Sequence, residues 1–325
     1  MKIVHISAFY SLENNYGAST RFKNLMDELA NDKENQHIII APNYIDKRFS
    51  VLPLKDNYRL LKIIQIWNYL IACKPEIVVS DFLPTIFLRK SKLIYIIHDV
   101  RLKSGFEKSG LKSSKWIYRL ILKQASKIIT VSQFTKVELN EFYNGLISAV
   151  PNGVSKQLYF DPKIKKRGLI YVAKSEERKN IKRYLEVCDK YYSSTGEKSY
   201  LVSDHAGVLP EGCTLVSQLS DIQIADLYRS ARCYVSTSNF EGFGMPLIEA
   251  YVSGCQLMIS DIPAHQEVLQ YMNLDYECTF NFSNTADEIV EKIMAQKFSV
   301  PDMRNFNLNW DKISDKFLLE ITNFK

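Results

Sequence analysis

Short apolar runs alternate with amphipathic stretches along almost the whole chain. Ten apolar runs rich in β-branched residues predict strands: Lys2–Phe9, His37–Ala41, Glu76–Ser80, Leu93–His98, Lys127–Val131, Gly168–Ala173, Tyr200–Ser203, Cys213–Val216, Cys233–Ser236 and Gln256–Ser260. Apolar residues at helical spacing predict helices: Ser19–Ala30, Leu60–Cys73, Gln133–Phe142, Ile181–Tyr192, Asp221–Ala231, Ala286–Ala295 and Trp310–Phe324. Because the strand runs are continuously apolar, they suit parallel sheets covered on both faces. The pattern therefore predicts a doubly wound α/β fold.

A turn and a change of composition divide the chain near its middle. Residues 150–154 contain Pro, Asn and Gly, and the lysine-rich stretch 161–167 precedes the next predicted strand. We interpret this as the boundary between two Rossmann-like domains, residues 1–152 and 153–309, with a helix of about 310–325 returning to the first. Ligands of open α/β sheets bind at the carboxyl ends of the strands. We therefore expect the two domains to face a cleft.

Charge is nearly balanced, with 42 basic and 36 acidic residues. This mild excess does not imply nucleic-acid binding. The segment from Arg101 to Lys127, however, has eight basic residues and one acidic residue. Such a segment either contacts an anionic membrane surface or forms a solvated basic helix face, and both interpretations stay open.

The remaining composition favours a cytoplasmic protein, with peripheral membrane contact as an option. The six cysteines are scattered without metal-binding spacing, which indicates free thiols. The N-terminal residues lack a signal-peptide pattern, and no apolar run is long enough to span a bilayer.

The most informative motif follows the strand run that ends at Ser236. Gly242 and Gly244 allow the backbone to approach a ligand closely, and Pro246 suits the first turn of a helix. A helix N-terminus after a glycine loop attracts an anion such as a diphosphate. Glu241 and Glu249 frame this loop and can accept hydrogen bonds from sugar or ribose hydroxyls. A plain helix cap with two exposed glutamates is the alternative.

Two further groups follow predicted strands. Arg178 and Lys179 come soon after the strand ending at Ala173, where cations can neutralise a diphosphate leaving group, although a solvated loop is the alternative. His98 ends another predicted strand, where an imidazole can bind a sugar hydroxyl; a structural histidine is the commoner case.

A weaker signal follows the first predicted strand. Gly17 allows a tight turn there, and Ser19 or Thr20 can cap the helix that begins next. Gly17 and Arg21 are candidate acceptor contacts, against the alternative of an ordinary helix start.

The motif around Glu241 closely resembles the Glu-x7-Glu region of the family 4 retaining glycosyltransferases, which have the GT-B fold. The resemblance extends from Ser238 to Ala264. Further matches to this family lie at 16–21, at His98-Asp99, at 131–135 (VSQFT), at 150–154 (PNG), at 178–179 and at 220–228.

The resemblance implies a role for each candidate residue. Glu241 is expected beside the donor sugar, Glu249 on the ribose of the nucleotide, Lys179 on the diphosphate, and His98 facing the donor sugar. Further donor contacts are expected from Arg178, from Lys174, which stands near the position of a second family cation, and from the amides of Gly242, Phe243 and Gly244. The loop departs from the family because Ala173-Lys174 replaces its usual glycine.

The resemblance also implies the reaction. A hexose passes from a nucleoside-diphosphate sugar to a hydroxyl of a saccharide or lipid-linked acceptor, with retention of configuration, in surface polysaccharide biosynthesis. No Asp-x-Asp motif occurs, and cations are available, so neither a metal nor another cofactor is expected. A sugar-nucleotide epimerase of the same fold and a non-catalytic subunit that binds sugar nucleotides are the alternatives. The donor, the acceptor and the oligomeric state stay open.

Overall fold

The chain divides into two compact parts. The computed structural model describes residues 1–7, 10, 17–54, 59–81, 91–100, 115–141, 143–155, 158, 160–161, 164, 166–297, 301, 303 and 306–323, without the side chains of 59, 115–118 and 276. Unit 1 comprises Met1–Gly153 and Trp310–Lys325, and unit 2 comprises Val154–Asn309. The boundary lies one residue after the predicted one, and the C-terminal helix belongs to unit 1.

The described residues form strands and helices in alternation. The strands are β1 (Lys2–Ile6), β2 (Gln36–Ala41), β3 (Ser50–Pro53), β4 (Ile77–Ser80), β5 (Lys92–Ile97), β6 (Lys127–Thr130), β7 (Ile147–Ala149), β8 (Leu169–Val172), β9 (Ser199–Val202), β10 (Cys213–Val216), β11 (Cys233–Ser236), β12 (Gln256–Ser260) and β13 (Thr279–Phe280). The helices are α1 (Gly17–Leu29), α2 (Arg59–Cys73), α3 (Lys115–Leu122), α4 (Gln133–Asn140), α5 (Ile181–Thr195), α6 (Asp221–Ser230), α7 (Met245–Val252), α8 (Pro263–Met272), α9 (Ala286–Ala295) and α10 (Trp310–Thr322).

The described strands of each unit form one parallel sheet. The unit 1 sheet has the order β3-β2-β1-β4-β5-β6-β7, and the unit 2 sheet has the order β10-β9-β8-β11-β12-β13. The strand order reverses between β1 and β4 in unit 1 and between β8 and β11 in unit 2. In open α/β sheets, ligands bind at the carboxyl ends of the strands at such a reversal.

The sheet of unit 1 is buried on both faces, as its continuous apolar strands predict. On one face, Val4 and Ile6 of β1 join a cluster with Ile66 of α2 and Leu122 of α3. The intervening residue His5 lies on the other face, which α1 and α10 cover. This period of two is the strand geometry that turns alternate side chains to opposite faces.

Two helices of unit 2 begin with reciprocal caps. Ser220 accepts from the N–H of Gln223 at α6, while the Gln223 side chain accepts from the N–H of Ser220. Thr285 and Glu288 form the same pair at α9. Each pair satisfies two N–H groups that have no partner within the helix.

Several sequence predictions need correction. β3, β7 and β13, and helix α8, were not predicted, because their apolar runs are too short or irregular to show a period. Helix α1 begins at Gly17, so Ser19 and Thr20 lie within it and do not cap it. β1 ends at Ile6 rather than Phe9, and the predicted residues 8 and 9 lie outside the described part. No described helix has the length and apolar character needed to span a bilayer.

Candidate functional site

The loop from Thr237 to Gly244 joins β11 to α7 at the carboxyl end of the unit 2 sheet. Gly244 has φ +100° and ψ 53°, a conformation that residues with a Cβ rarely adopt. Helix α7 starts at Met245 with Pro246 in its first turn, where a missing N–H costs no helical hydrogen bond. The loop therefore ends at a helix N-terminus, the arrangement that binds anions.

Three donors bind the carboxylate of Glu241 within this loop. Lys179 Nζ donates to Oε1 over 2.5 Å, and Ser238 Oγ donates to the same oxygen over 2.7 Å. Arg178 Nη1 donates to Oε2 over 2.8 Å. Glu241, Arg178 and Lys179 are each less than 10% exposed. The two predicted cations and the first predicted glutamate thus form one buried cluster.

Arg178 also ties this loop to the short turn Glu177–Lys179 that follows β8. Its Nε donates to Glu176 over 2.6 Å, and its Nη1 donates to the carbonyl of Phe240 over 3.0 Å. The N–H of Asn239 in turn donates to the carbonyl of Arg178 over 2.7 Å. The loops after β8 and β11 are therefore joined at the point where the strand order reverses.

The cluster is charged. Burial raises the pKa of Glu241, but the attraction of Lys179 and Arg178 outweighs it and brings that pKa to about 2. Burial lowers the pKa of Lys179, with Glu241 offsetting part of the effect and Arg178 adding to it. The contributions of Glu241 and Arg178 to the pKa of Lys179 have opposite signs because one neighbour is an anion and the other a cation. With its low pKa, the Glu241 carboxylate is ionised at neutral pH.

Glu249 lies in the second turn of α7 in a different environment. Tyr228 OH donates to its Oε2 over 3.2 Å. Burial raises the pKa of Glu249 to about 7, with repulsion from Asp221 adding to the effect and the Tyr228 hydrogen bond opposing it. The second predicted glutamate therefore titrates near neutral pH.

The other predicted donor contacts lie along the same edge of the sheet. Lys174 is half-buried and follows β8, and Gly242 is half-buried in the loop. The ring of Phe243 is buried and packs 6.3 Å from the ring of Tyr271.

A buried histidine lies beneath the loop. His265 Nδ1 donates to the carbonyl of Ser260 over 2.8 Å, and this fixes Nε2 as an acceptor. A Cβ on Gly244 would lie 3.6 Å from His265 Cδ2, so the imidazole supports the loop from below. Burial lowers the pKa of His265, which is consistent with a neutral ring.

Unit 1 has a polar pair at its own strand-order reversal. Ser7 follows β1 and Asp81 follows β4, and Ser7 Oγ donates to Asp81 Oδ2 over 2.5 Å. Asp81 and His98, which follows β5, line one cavity together with Arg21 and His5. The cavity has room for about one water molecule.

Arg21 is buried rather than exposed. It is 1% exposed, and its Nη1 donates to the carbonyl of Pro151 over 2.9 Å and to Asn152 Oδ1 over 2.6 Å. Its Nε and Nη2 have no hydrogen-bond partner among the described residues. Burial lowers the pKa of Arg21 to about 9. Gly17, the other candidate acceptor contact, is exposed at the start of α1.

Two family comparisons cover most of the chain. Residues 16–158 match the family described as Glycosyltransferase Family 4, and residues 160–297 match Glycosyl transferases group 1.

The chain belongs to family 4 of the glycosyltransferases. The family and the transferase class predicted from the sequence are thereby confirmed.

Curated relatives of this family-4 chain are bacterial. The O-antigen chain mannosyltransferase RfbU of Salmonella typhimurium is 30% identical over 203 residues, which are 56% of each protein. The serotype-specific mannosyltransferase WbdA of Escherichia coli is 32% identical over 111 residues, which are 32% of this chain and 13% of WbdA. The chain thus spans about half of RfbU and a small part of WbdA.

Solved structures share the fold. WaaG, a glycosyltransferase involved in lipopolysaccharide biosynthesis, superimposes with a TM-score of 0.75 at 14% identity, covering 99% of this chain and 100% of WaaG. Sucrose-phosphate synthase of Thermosynechococcus elongatus gives 0.74 at 14% identity, covering 98% of both. The predicted GT-B class with two parallel-sheet α/β domains is confirmed.

Sequence reasoning missed several residues that the fold brings to the two sites. They are Ser7 and Asp81 in unit 1, and Tyr171, Ser238 and His265 in unit 2. Four of them lie in a strand or within two residues of its end, and His265 lies in the first turn of α8. A lone serine, tyrosine, carboxylate or histidine at such a place carries no motif. The expectation of no metal or cofactor stays a prediction; among the described residues, no group of three His, Cys, Asp or Glu side chains is placed to hold a metal ion.

Proposed function

We propose that this family-4 glycosyltransferase moves a hexose from a nucleoside-diphosphate sugar, bound by unit 2, to a hydroxyl of a saccharide or lipid-linked acceptor, with retention of configuration. The observation that carries the proposal is the buried cluster of Glu241, Arg178 and Lys179 at the strand-order reversal of unit 2. A site there, next to a helix N-terminus, suits a diphosphate flanked by hydroxyl-bearing groups.

The cations supply what the leaving group needs. Lys179 has three N–H donors and uses one on Glu241, so the others are available to phosphate oxygens. The charge that develops on the departing diphosphate is stabilised by Lys179 and by the loop amides of Gly242, Phe243 and Gly244. Arg178 and Lys174 add positive charge at the same edge of the unit 2 sheet. We propose that this set works without a metal ion or another cofactor.

The two glutamates divide the recognition of the donor. Glu241 is ionised and accepts from a hydroxyl of the donor sugar. Glu249, in the second turn of α7, accepts from a ribose hydroxyl of the nucleotide. His98 is proposed to contact the donor sugar from unit 1.

We place the acceptor contact of unit 1 at its strand-order reversal. Asp81 offers only acceptor atoms, and Arg21 offers only donors, two of which have no described partner. A hydroxyl, which both donates and accepts, satisfies the two side chains together, whereas an anion suits only the guanidinium. Gly17, exposed at the start of α1, is proposed as a further acceptor contact.

The names of the relatives support a place in bacterial surface polysaccharide assembly. RfbU is an O-antigen chain mannosyltransferase and WaaG acts in lipopolysaccharide biosynthesis. On this basis we propose a mannose-type hexose and an O-antigen or lipopolysaccharide acceptor.

A thermal-shift screen against UDP-, GDP-, ADP- and TDP-sugars tests the proposal. A donor that binds the folded protein raises its Tm by mass action. We expect one nucleotide series to raise it, and the shift to disappear in Lys179→Ala. Absence of any shift across the four series contradicts a donor site. Incubation with the donor alone separates transfer from epimerisation, and nuclear magnetic resonance of the product's anomeric proton tests retention.

We also propose that the basic segment 101–127 contacts an anionic membrane at the cytoplasmic face. Residues 101–114 lie outside the described part. Arg119 and Leu120 are exposed on α3 and Lys123 is exposed directly after it, whereas Lys127 is buried and donates to Glu320. Replacing Lys112, Lys115 and Arg119 by Glu should release the protein from vesicles containing anionic lipid. Unchanged sedimentation with these vesicles contradicts the contact.

A further inference from the structure

A chain of two hydroxyls lies behind Glu241. Ser238 Oγ is 2.7 Å from Glu241 Oε1 and also 2.7 Å from Tyr171 OH. Tyr171 OH is in turn 2.9 Å from the carbonyl oxygen of Lys179. Ser238 and Tyr171 are both 0% exposed. Neither side chain can reach solvent or a large ligand, so their effect on a substrate passes through Glu241 and Lys179.

The acceptor capacity of Glu241 is almost used up. An ionised carboxylate has about four lone-pair positions. Lys179 and Ser238 occupy both positions on Oε1, and Arg178 occupies one position on Oε2. One position, on Oε2, is left for a ligand hydroxyl. The Ser238 hydrogen bond therefore completes the partners of Oε1, so that Oε2 is the oxygen with a position for the substrate.

The hydrogens of the chain have a defined direction. The Lys179 carbonyl at one end and the Glu241 carboxylate at the other can only accept hydrogen bonds. The two hydroxyls between them carry two hydrogens, which cannot supply all three contacts of the chain. Thr237 Oγ1 lies 3.2 Å from the Lys179 carbonyl and 2.9 Å from the Asn180 carbonyl, so its single hydrogen can reach either. Tyr171 can donate to the Lys179 carbonyl or to Ser238, and Ser238 donates to Glu241 in both arrangements. The charge of Glu241 favours this direction, since hydrogen bonds to ionised groups are the stronger ones.

We propose that Ser238 and Tyr171 are positioning residues, which orient the Glu241 carboxylate so that it accepts one hydroxyl of the donor sugar. The inference rests on the proposed function, because it assigns Glu241 to the donor sugar. Binding of the diphosphate depends on Lys179 and the loop amides instead. Loss of the hydroxyl chain should thus lower turnover while the affinity for the nucleotide part is kept.

The test compares Ser238→Ala and Tyr171→Phe with two matched controls. Ser253→Ala removes a buried serine hydroxyl that lies within hydrogen-bond distance of the carbonyls of Leu158 and Glu249. Tyr184→Phe removes a buried tyrosine hydroxyl that donates to the carbonyl of Tyr200. The hydrogen bonds that these controls lose are buried in unit 2 and are not part of the chain behind Glu241. The ring of Tyr184 packs 5.3 Å from that of Tyr171, and Tyr184→Phe keeps this ring contact.

We expect Ser238→Ala and Tyr171→Phe to lower kcat by about tenfold, the size expected for a hydrogen bond to a charged group. The Kd for UDP and GDP, measured by calorimetry, should stay within twofold of wild type. Ser238→Thr should restore most of kcat because it keeps the hydroxyl. A donor analogue that lacks the hydroxyl bound by Glu241 should react more slowly than the donor itself with the wild-type enzyme. The same analogue should reduce the rate of Ser238→Ala by a smaller factor.

Two results overturn the inference. One is a kcat for both variants no lower than that of Ser253→Ala and Tyr184→Phe. The other is a loss of UDP or GDP affinity that accounts for the whole defect. Glu241→Gln distinguishes failure of the proposed function from failure of this inference. Wild-type turnover in Glu241→Gln contradicts the proposed function. An inactive Glu241→Gln together with an unaffected Ser238→Ala contradicts only the role of the hydroxyl chain.

Discussion

Glu241 and Glu249 are eight residues apart, yet their environments move their pKa values in opposite directions, to about 2 and about 7. Both are carboxylates that burial penalises. Two cations contact Glu241, whereas Glu249 has the neutral hydroxyl of Tyr228. Neighbouring charge therefore decides their ionisation, and it gives each glutamate a different, testable behaviour.

Glu241→Gln should reduce turnover by about 100-fold, because it removes an interaction with the reacting sugar. It should also lower the free energy of unfolding by about 3 kcal/mol, since Arg178 and Lys179 are left buried without their counter-charge. Steady-state kinetics and urea denaturation measure the two effects. Glu186→Gln, which breaks an exposed pair with Arg183, should change neither by much. Unchanged turnover in Glu241→Gln refutes the site.

Glu249→Gln should change how stability depends on pH. The folded pKa of Glu249 lies near 7, above the ordinary value of 4.5, so the folded state binds the proton more tightly than the unfolded state. Its contribution to stability is present below pH 4.5 and is lost as pH rises through 7. Because the side chain is half-buried and partly screened, we expect the variant to exceed wild type above pH 7 by on the order of 2 kcal/mol. Urea denaturation at pH 5 and pH 8 checks this; equal pH slopes in both proteins contradict it.

Gly244→Ala should weaken donor binding through the backbone. At φ +100° an alanine is strained, while its Cβ would meet His265 only at ordinary contact distance. We expect a loss of about 1–2 kcal/mol in stability and a clear rise in the Kd for the donor as the loop amides shift.

Gly196→Ala is the matched control for that loop. Gly196 has φ +68° at the end of α5, with open space around it. It should show similar strain and an unchanged donor Kd. If both variants bind the donor like wild type, the amides of this loop do not hold the diphosphate.

Asp81→Asn should raise the KM for the acceptor at least fivefold, because the carboxylate that accepts a hydrogen bond from a substrate hydroxyl is replaced by a weaker acceptor. The KM for the donor, bound by unit 2, should stay the same. Asp27→Asn is the control, since Asp27 lies on the surface of unit 1 and pairs with Arg48. An unchanged acceptor KM removes Asp81 from the acceptor site.

Most elements were predictable because their signals are local. The apolar runs gave the positions of the long strands, and glycine and proline gave the start of α7. Elements with few residues, such as β7 and β13, show no period and were missed. The ends of helices also depend on tertiary packing, which is why α1 starts before Ser19.

The site was predictable only in part. A motif places Glu241 and Glu249, but nothing in the sequence shows that Arg178 and Lys179 both contact Glu241, more than sixty positions away. That contact exists because β8 and β11 are neighbours in the sheet. Arg21 was predicted as an acceptor contact, and only the fold shows that its side chain is buried, because α1 packs against the sheet with α10 beside it.

The sequence by itself determined the family, the α/β class and the residues that carry charge at the ends of the strands, since these depend on local composition and spacing. The tertiary structure decided which charges meet, which hydroxyls support them and how far each pKa moves. These properties depend on burial and on distances between segments remote in sequence, and only the parallel order of the strands sets those distances.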